Sequence, residues 1–447
     1  MKKRFLDKNV HVETKKAQRY YALSSFYETM VFSFLTLFLN ECKMSLRWEN
    51  WMQSLSLFLP PFIAALSIFV SSFFVTHHKD NLKAMRALTL LSFLVLVAFS
   101  LLGLFLPNGI NSDGMVTNYH QYYSLFAMMM IFPPLLVGLH WSFLSFQISN
   151  IADINYVEKT RFGHVCIFGP IVSMLISPFA GYIAESLFAS YYGYLFLFLV
   201  ASPLLLLEFA FTFSFKSYDP SLFHNDEEEK TSYKQLFSNH AYRRYLLIAM
   251  IWIPSIWAGA SLVSSYWASL EGANSMNAFN PLMYGVFLAF SSLIEAIFVY
   301  FNTKVGFGKR LVFSMNLALF LLFLGALGFA ILSYFFRVPP ESGYSLALLI
   351  IFLHSFKGIS NGLYCTSNLA MLHHILGPKQ RRKAVFIAPM IYQFINAFLQ
   401  LAYPFLNDMR YASFFALAGI IFFGFILSLF QDGPLLHWKM NQNEESD

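Results

Sequence analysis

The chain has 447 residues, of which 57% are hydrophobic and 12% charged, with a mean hydropathy of +0.54. Soluble domains run at roughly half apolar and a quarter charged residues, so this composition excludes a water-soluble enzyme or binding module and describes an integral membrane protein. The formal charge of +6 sits mostly in segments between apolar stretches, which makes it a topology signal; the lipid bilayer is the expected partner, and nucleic acid is not.

The basic start runs straight into an apolar stretch long enough to span, so no cleavable signal peptide is expected. Stretches of about 20 apolar residues, the length a helix needs to cross a roughly 30 Å hydrocarbon core, lie at 20–40, 52–75, 86–106, 122–146, 163–186 and 190–214. Six more follow at 245–268, 281–302, 312–335, 344–371, 384–405 and 411–431. The pattern predicts an all-α integral membrane protein of twelve transmembrane helices in two six-helix halves. Residues 1–215 form the N-terminal half, 216–244 a central loop, 245–431 the C-terminal half and 432–447 a tail. The acidic run Asn225–Lys230 in the central loop reads as a solvated linker. With the N-terminus inside, 25 of the 30 Lys and Arg residues fall on the inner side. Four fall outside, Lys43, Arg47, Arg337 and Arg410, and Lys357 lies within a span. That asymmetry predicts a multi-pass protein of the cell membrane with both termini cytoplasmic.

Span one carries Glu28 near mid-depth, flanked by Ser24, Ser25 and Thr29. In span four, His140 and Gln147 share a face, and the histidine reads either as a packing residue or as cavity lining. Glu185 closes span five, and Glu208 lies about six residues from the inner end of span six, so both are expected to reach interfacial water by snorkelling. Trp252, Trp257 and Trp267 in span seven read as packing or as cover for a solute. Glu295 lies deep in span eight, one turn after Ser291. In span eleven Tyr392, Gln393, Asn396, Gln400 and Tyr403 give a polar face.

Span ten holds "HSFKGISNGLYCTSN" from His354 to Asn368. Placing Lys357 at a bilayer centre costs roughly 2.5–3.5 kcal/mol, so such a residue faces protein or a water-filled cavity. His354, Lys357, Asn361, Tyr364 and Asn368 step by three and four and therefore share one face. Ser360 and Thr366 fall off that stripe, and Gly358 with Gly362 forms a close-packing pair beside it. The stripe reads as a hydrated solute cavity, or as hydrogen bonding to neighbouring helices. Lys357 needs a counter-charge, which Glu28 or Glu295 can supply.

Between spans eight and nine "NTKVGFGKR", Asn302 to Arg310, places Lys304, Gly306, Lys309 and Arg310 in a tight basic turn. It resembles the Gly-x-x-x-Asp-Arg-x-Gly-Arg-Arg loop of the major facilitator superfamily, with Thr303 in the acidic position; "THHKDNLKAMR", Thr76 to Arg86, keeps the basic character of the other copy but not its Gly or Asp-Arg order. "SMLISPFAGY" in span five, Ser173 to Tyr182, is similar to that family's Gly-x-x-x-Gly-Pro-x-x-Gly-Gly, with Ser173 and Ser177 for glycines and Pro178 and Gly181 kept. The resemblance implies that spans one, four, seven and ten line a central cavity, that spans two, five, eight and eleven form the moving interface, and that Lys304, Gly306, Lys309 and Arg310 act as a gating loop.

On that resemblance the expected function is secondary active transport of a small polar, possibly anionic solute by alternating access, with protons as the favoured coupling partner and a counter-solute as the other. Lys357, His354, Asn361, Tyr364, Asn368 and Glu28 are the expected solute contacts, with Glu28 and Glu295 for coupling. The alternative is an exporter of amphiphiles, drugs or lipids; an intramembrane enzyme or a receptor is the non-transport reading. The chain has no phosphate-binding loop, GxSxG elbow or HExxH pair. Cys42, Cys166 and Cys365 have neither disulfide nor metal spacing. No catalytic residue, metal or cofactor is expected.

The predicted topology places 107–119 outside. A cysteine introduced at Ser112 should react with a membrane-impermeant thiol reagent on intact cells; reaction only after the membrane is opened reverses the orientation.

Overall fold

The computed structural model describes residues 2–73, 78–110, 115–154, 162–186, 191–214, 233–271, 279–304, 311–336, 343–376, 378–402 and 410–430. Among the described residues, regular structure is helical apart from one isolated bridge between Ile110 and Val116. Twelve helices are long and apolar enough to cross a membrane: Lys15–Leu46, Asn50–Ser72, Leu82–Phe105, Tyr119–Ile148, Gly163–Ser186, Tyr191–Thr212, His240–Leu270, Pro281–Thr303, Leu311–Phe335, Gly343–Leu372, Lys383–Leu401 and Tyr411–Leu429. They are numbered one to twelve below.

The first helix runs Lys2–Leu46, well ahead of the expected start. Lys and Arg are good helix formers, so the backbone continues where hydropathy stops reporting. Two short helices were not separately legible: Phe162–Cys166, which forms the first turn of span five, and Tyr233–Ser238, in the central loop ahead of span seven. Neither is long enough to show a period. Asparagines set several helix starts by accepting backbone N–H groups that a first turn leaves without partners. Asn118 accepts from His120 and Gln121, Asn239 from Tyr242, and Asn280 from Met283.

Within the first half, span one packs on five and six, two on four, and three on four and six; the same pairs recur six spans later. Two extensive contacts join the halves, span five on eight and span two on eleven. The first is a close-approach seam. A Cβ added at Gly285 would collide with the Ser177 carbonyl oxygen, and one at Gly181 with that of Pro281. Small residues let the two backbones touch, which is the role of the "SMLISPFAGY" stretch. Ser292 Oγ donates to Ser173 Oγ at 3.1 Å along the same seam. At its far end Glu185 accepts from Asn280 Nδ2 at 2.9 Å and from the Leu282 N–H at 3.3 Å. The second contact is aromatic, with Phe58 on Phe398 and Phe62 on Phe394 at centroid distances of 5.8 and 6.1 Å.

Asn40 Oδ1 accepts from Gln53 at 3.0 Å and from Ser265 at 2.9 Å, tying spans one, two and seven together at one end of the bundle. Towards the other end, Tyr233 donates to Ser72 at 2.8 Å and Phe146 of span four meets Phe386 of span eleven. Both ends of the bundle therefore carry contacts between the halves, and the space between them is the place to look for a site.

Forcing a side chain into a packed seam costs about 1–3 kcal/mol. Gly285→Val should therefore lower the thermal unfolding midpoint of the purified protein by several degrees. Gly419→Ala, in span twelve where an added Cβ meets nothing within 4 Å, should leave it unchanged or raised. Equal behaviour of the two variants removes the seam from the account.

Candidate functional site

Span ten is fixed by its off-stripe residues. Gly358 approaches the Ser291 carbonyl so closely that a Cβ would not fit, and a Cβ at Gly362 would lie 2.8 Å from the Glu295 carbonyl oxygen. Ser360, fully buried, accepts from Trp252 Nε1 at 2.9 Å and donates to the Ala318 carbonyl at 2.7 Å. Thr366 Oγ1 accepts from Asn302 Nδ2. Spans seven, eight and nine thus hold span ten on three sides, which aims the stripe at span seven and the middle of the bundle.

The stripe then divides into two environments. His354 is 3% exposed, with its ring 4.2 Å from Phe287 and its Nε2 without a hydrogen-bond partner. Tyr364 is buried in a parallel stack on Trp252 at 3.5 Å, and Tyr245 donates to Asn368 Oδ1. These three side chains pack inside the C-terminal half. Lys357 and Asn361, in the middle, are half-buried. Asn361 lies beside the Glu295 carboxylate of span eight, and Lys357 lies within electrostatic range of Glu295. Cys365 Sγ donates to Asn361 Oδ1 at 3.3 Å. Lys357 and His354 also line a cavity of about 30 Å³ with Ser255, Gly259 and Phe414, room for about two water molecules.

From the other half, span one brings Glu28. Its side chain is 33% exposed although Ser24, Ser25 and Thr29 around it are buried. Glu28 Oε1 lies 3.9 Å from His140 Nε2, and the His140 ring stacks on Phe32 at 4.1 Å. His140 is therefore the neighbour of the span-one carboxylate rather than an isolated packing residue. Glu28 also lies within electrostatic range of Glu295, so the two carboxylates and Lys357 belong to one cluster drawn from spans one, eight and ten.

The aromatic residues separate by role. Trp252 stacks on Tyr364, and Trp267, fully buried, sits among Phe279, Tyr284 and Phe287. Trp257 meets Trp141 of span four at 5.4 Å, and Trp141 meets Tyr392 of span eleven at 5.3 Å, a trio that crosses between the halves. Sequence reading passed over Trp141: among 19% aromatic residues, only its place directly after His140 offered a signal. Gln400 donates to Ser261 at 2.9 Å, and Gln393 and Asn396 are buried.

Glu208 departs from expectation. It is 1% exposed, beside Ser24 and within range of Tyr27, and does not reach interfacial water. Its side chain lies on the face of span six that packs against span one, so the short distance to the helix end gives no route out. Among the gating-loop residues, Gly306, Lys309 and Arg310 and the side chain of Lys304 lie outside the described residues, as does Tyr403. No cluster of three or more metal-ligating side chains occurs among the described residues.

Neither a family model nor a curated protein matches the sequence. Solved structures do. The nucleoside transporter NupG aligns at 11% identity and a TM-score of 0.62, covering 95% of this chain and 100% of its own. The major facilitator superfamily proton:xylose symporter XylE, bound to 6-bromo-6-deoxy-D-glucose, aligns at 13% identity and 0.65, covering 95% of each chain. A structure described as a D-xylose-proton symporter aligns at 14% and 0.63, covering 94% of this chain and 96% of its own.

If Lys357 and Glu295 compensate each other, removing one strands the other. Lys357→Ala should cost about 1–3 kcal/mol, less than for a fully buried pair because both groups are partly exposed. The Lys357→Ala, Glu295→Gln double variant should then be more stable than the sum of the single losses, by about 1 kcal/mol. Thermal unfolding of the four proteins tests this, and additive losses separate the two residues.

Proposed function

We propose, on a chain whose fold is that of the major facilitator superfamily transporters, that it is a secondary active transporter moving a small polar solute by alternating access. The observation that carries the reading is the half-buried cluster of Glu28, Glu295, Lys357 and Asn361, where helices of both halves meet away from either end. A site shared by two bodies opens to one side or the other as those bodies rock about the seam of spans five and eight. The structural neighbours described as a nucleoside transporter and as proton:xylose symporters support the same class of action.

Protons are the favoured coupling ion. Glu295 is matched by Lys357 while ionised; once Glu295 takes a proton, Lys357 loses its counter-charge and becomes available to an anionic group on the solute. Proton and solute then enter the site together, and each favours the other's binding. The charge asymmetry of the loops supports cytoplasmic termini. The alternative, an exporter of amphiphilic compounds, drugs or lipids, draws on the part-exposed rings of Trp141 and Trp257. His354, Tyr364 and Asn368 act on the solute indirectly in this reading, by fixing the helix that carries Lys357.

A thermal-shift screen of solutes on the purified protein identifies the ligand, because binding stabilises the state it selects. In proteoliposomes, Glu295→Gln should lose accumulation driven by an inward proton gradient yet keep one-for-one exchange of labelled for unlabelled solute. Uphill transport that persists in Glu28→Gln, in Glu295→Gln and in the double variant shows that neither carboxylate carries the coupling proton.

A further inference from the structure

We infer that the solute carries, besides any acidic group that meets Lys357, a positively charged nitrogen, an alkylated or quaternary ammonium head, received by Glu28 together with Trp141 and Trp257; this rests on the transporter reading above and names the chemistry of its site. The charge balance points there first. The cluster holds two carboxylates and one ammonium among the described residues, and Lys357 lies within electrostatic range of Glu295. Glu28 is left with an imidazole, His140 at 3.9 Å, which is itself stacked on Phe32. Its side chain remains 33% exposed, open to whatever enters between the halves.

The rings beside it have the arrangement that holds a cation. Trp257 and Tyr392 stand against Trp141 at interplanar angles of 77° and 76°, with centroids 5.4 and 5.3 Å apart. Trp257 and Tyr392 each meet the central Trp141 edge to face, and tryptophan faces attract cations most strongly. Trp141 and Trp257 are each part-exposed, which leaves part of their surface open, whereas Tyr392 is buried and serves to hold Trp141. Trp141 follows His140 in the chain, and Tyr392 lies within electrostatic range of Glu28. A carboxylate beside an aromatic corner discriminates an ammonium from a neutral group of the same shape, because the neutral group gains neither the ion pair nor the attraction to the rings. The corner draws Trp141 from one half and Trp257 and Tyr392 from the other, so it forms and parts as the halves move.

Two isosteric pairs test this on the purified full-length protein: choline against 3,3-dimethylbutanol, and glycine betaine against 3,3-dimethylbutanoate. Calorimetry should show the charged-nitrogen member of at least one pair binding roughly tenfold or more tighter than its carbon isostere. That preference should vanish in Glu28→Gln and in Trp257→Ala and return in Trp257→Phe, which restores a ring. Equal affinities within both pairs, or no binding by any of the four at tens of millimolar, overturn the inference. If a neutral or anionic compound crosses proteoliposomes through the protein while the ammonium probes neither bind nor cross, the transporter reading stands without it. If the ammonium preference is present but no bound compound is ever carried, the site assignment stands and the transporter reading falls.

Discussion

A charged side chain in a helix that must cross hydrocarbon is the constraint on which the rest of this structure depends. Lys357 cannot face lipid, so span ten must turn one face inward, and something inside must answer the charge. Glu295 of span eight lies within electrostatic range of it, with Asn361 beside that carboxylate. That requirement fixes the rotation of span ten, which in turn demands the near-backbone contacts at Gly358 and Gly362 and the anchoring of Ser360 by Trp252. A polar centre is thus the place where an apolar bundle gathers its own ionisable groups.

The halves are joined by two unlike seams. Span five meets span eight through backbone contact at glycine and serine, and span two meets span eleven through phenylalanine rings. Close backbone contact tolerates little change in separation, whereas ring contacts between flexible side chains repack at low cost, so in the proposed mechanism the first seam is the fulcrum. The charged cluster lies between the halves, where a small rotation about the first seam alters which end of the bundle it faces. Binding energy at the cluster can then be spent on moving the halves.

Twelve spans, their order and the inward face of span ten were legible in the sequence because each follows from a period or a run length that hydrocarbon thickness imposes. The stripe spacing reported correctly that His354, Lys357, Asn361, Tyr364 and Asn368 share a face. Spacing does not report how far neighbouring helices cover that face, and Trp252 and Phe287 cover its two ends. Glu208 looked close enough to a helix end to reach water, but which neighbour a side chain points at is a tertiary fact. The same holds for His140, whose role spacing left open, and for its neighbour Trp141, unremarked until spans seven and eleven place Trp257 and Tyr392 beside it.

Access to the middle of span ten tests the central claim most directly. In a chain with Cys42, Cys166 and Cys365 replaced by serine, Asn361→Cys places one thiol in the cluster. Alternating access predicts that a membrane-impermeant thiol reagent labels it from either side, in right-side-out and in inside-out vesicles, and that a transported solute slows both reactions. Labelling from one side alone under every condition, or from neither, contradicts a site that two rocking halves expose in turn.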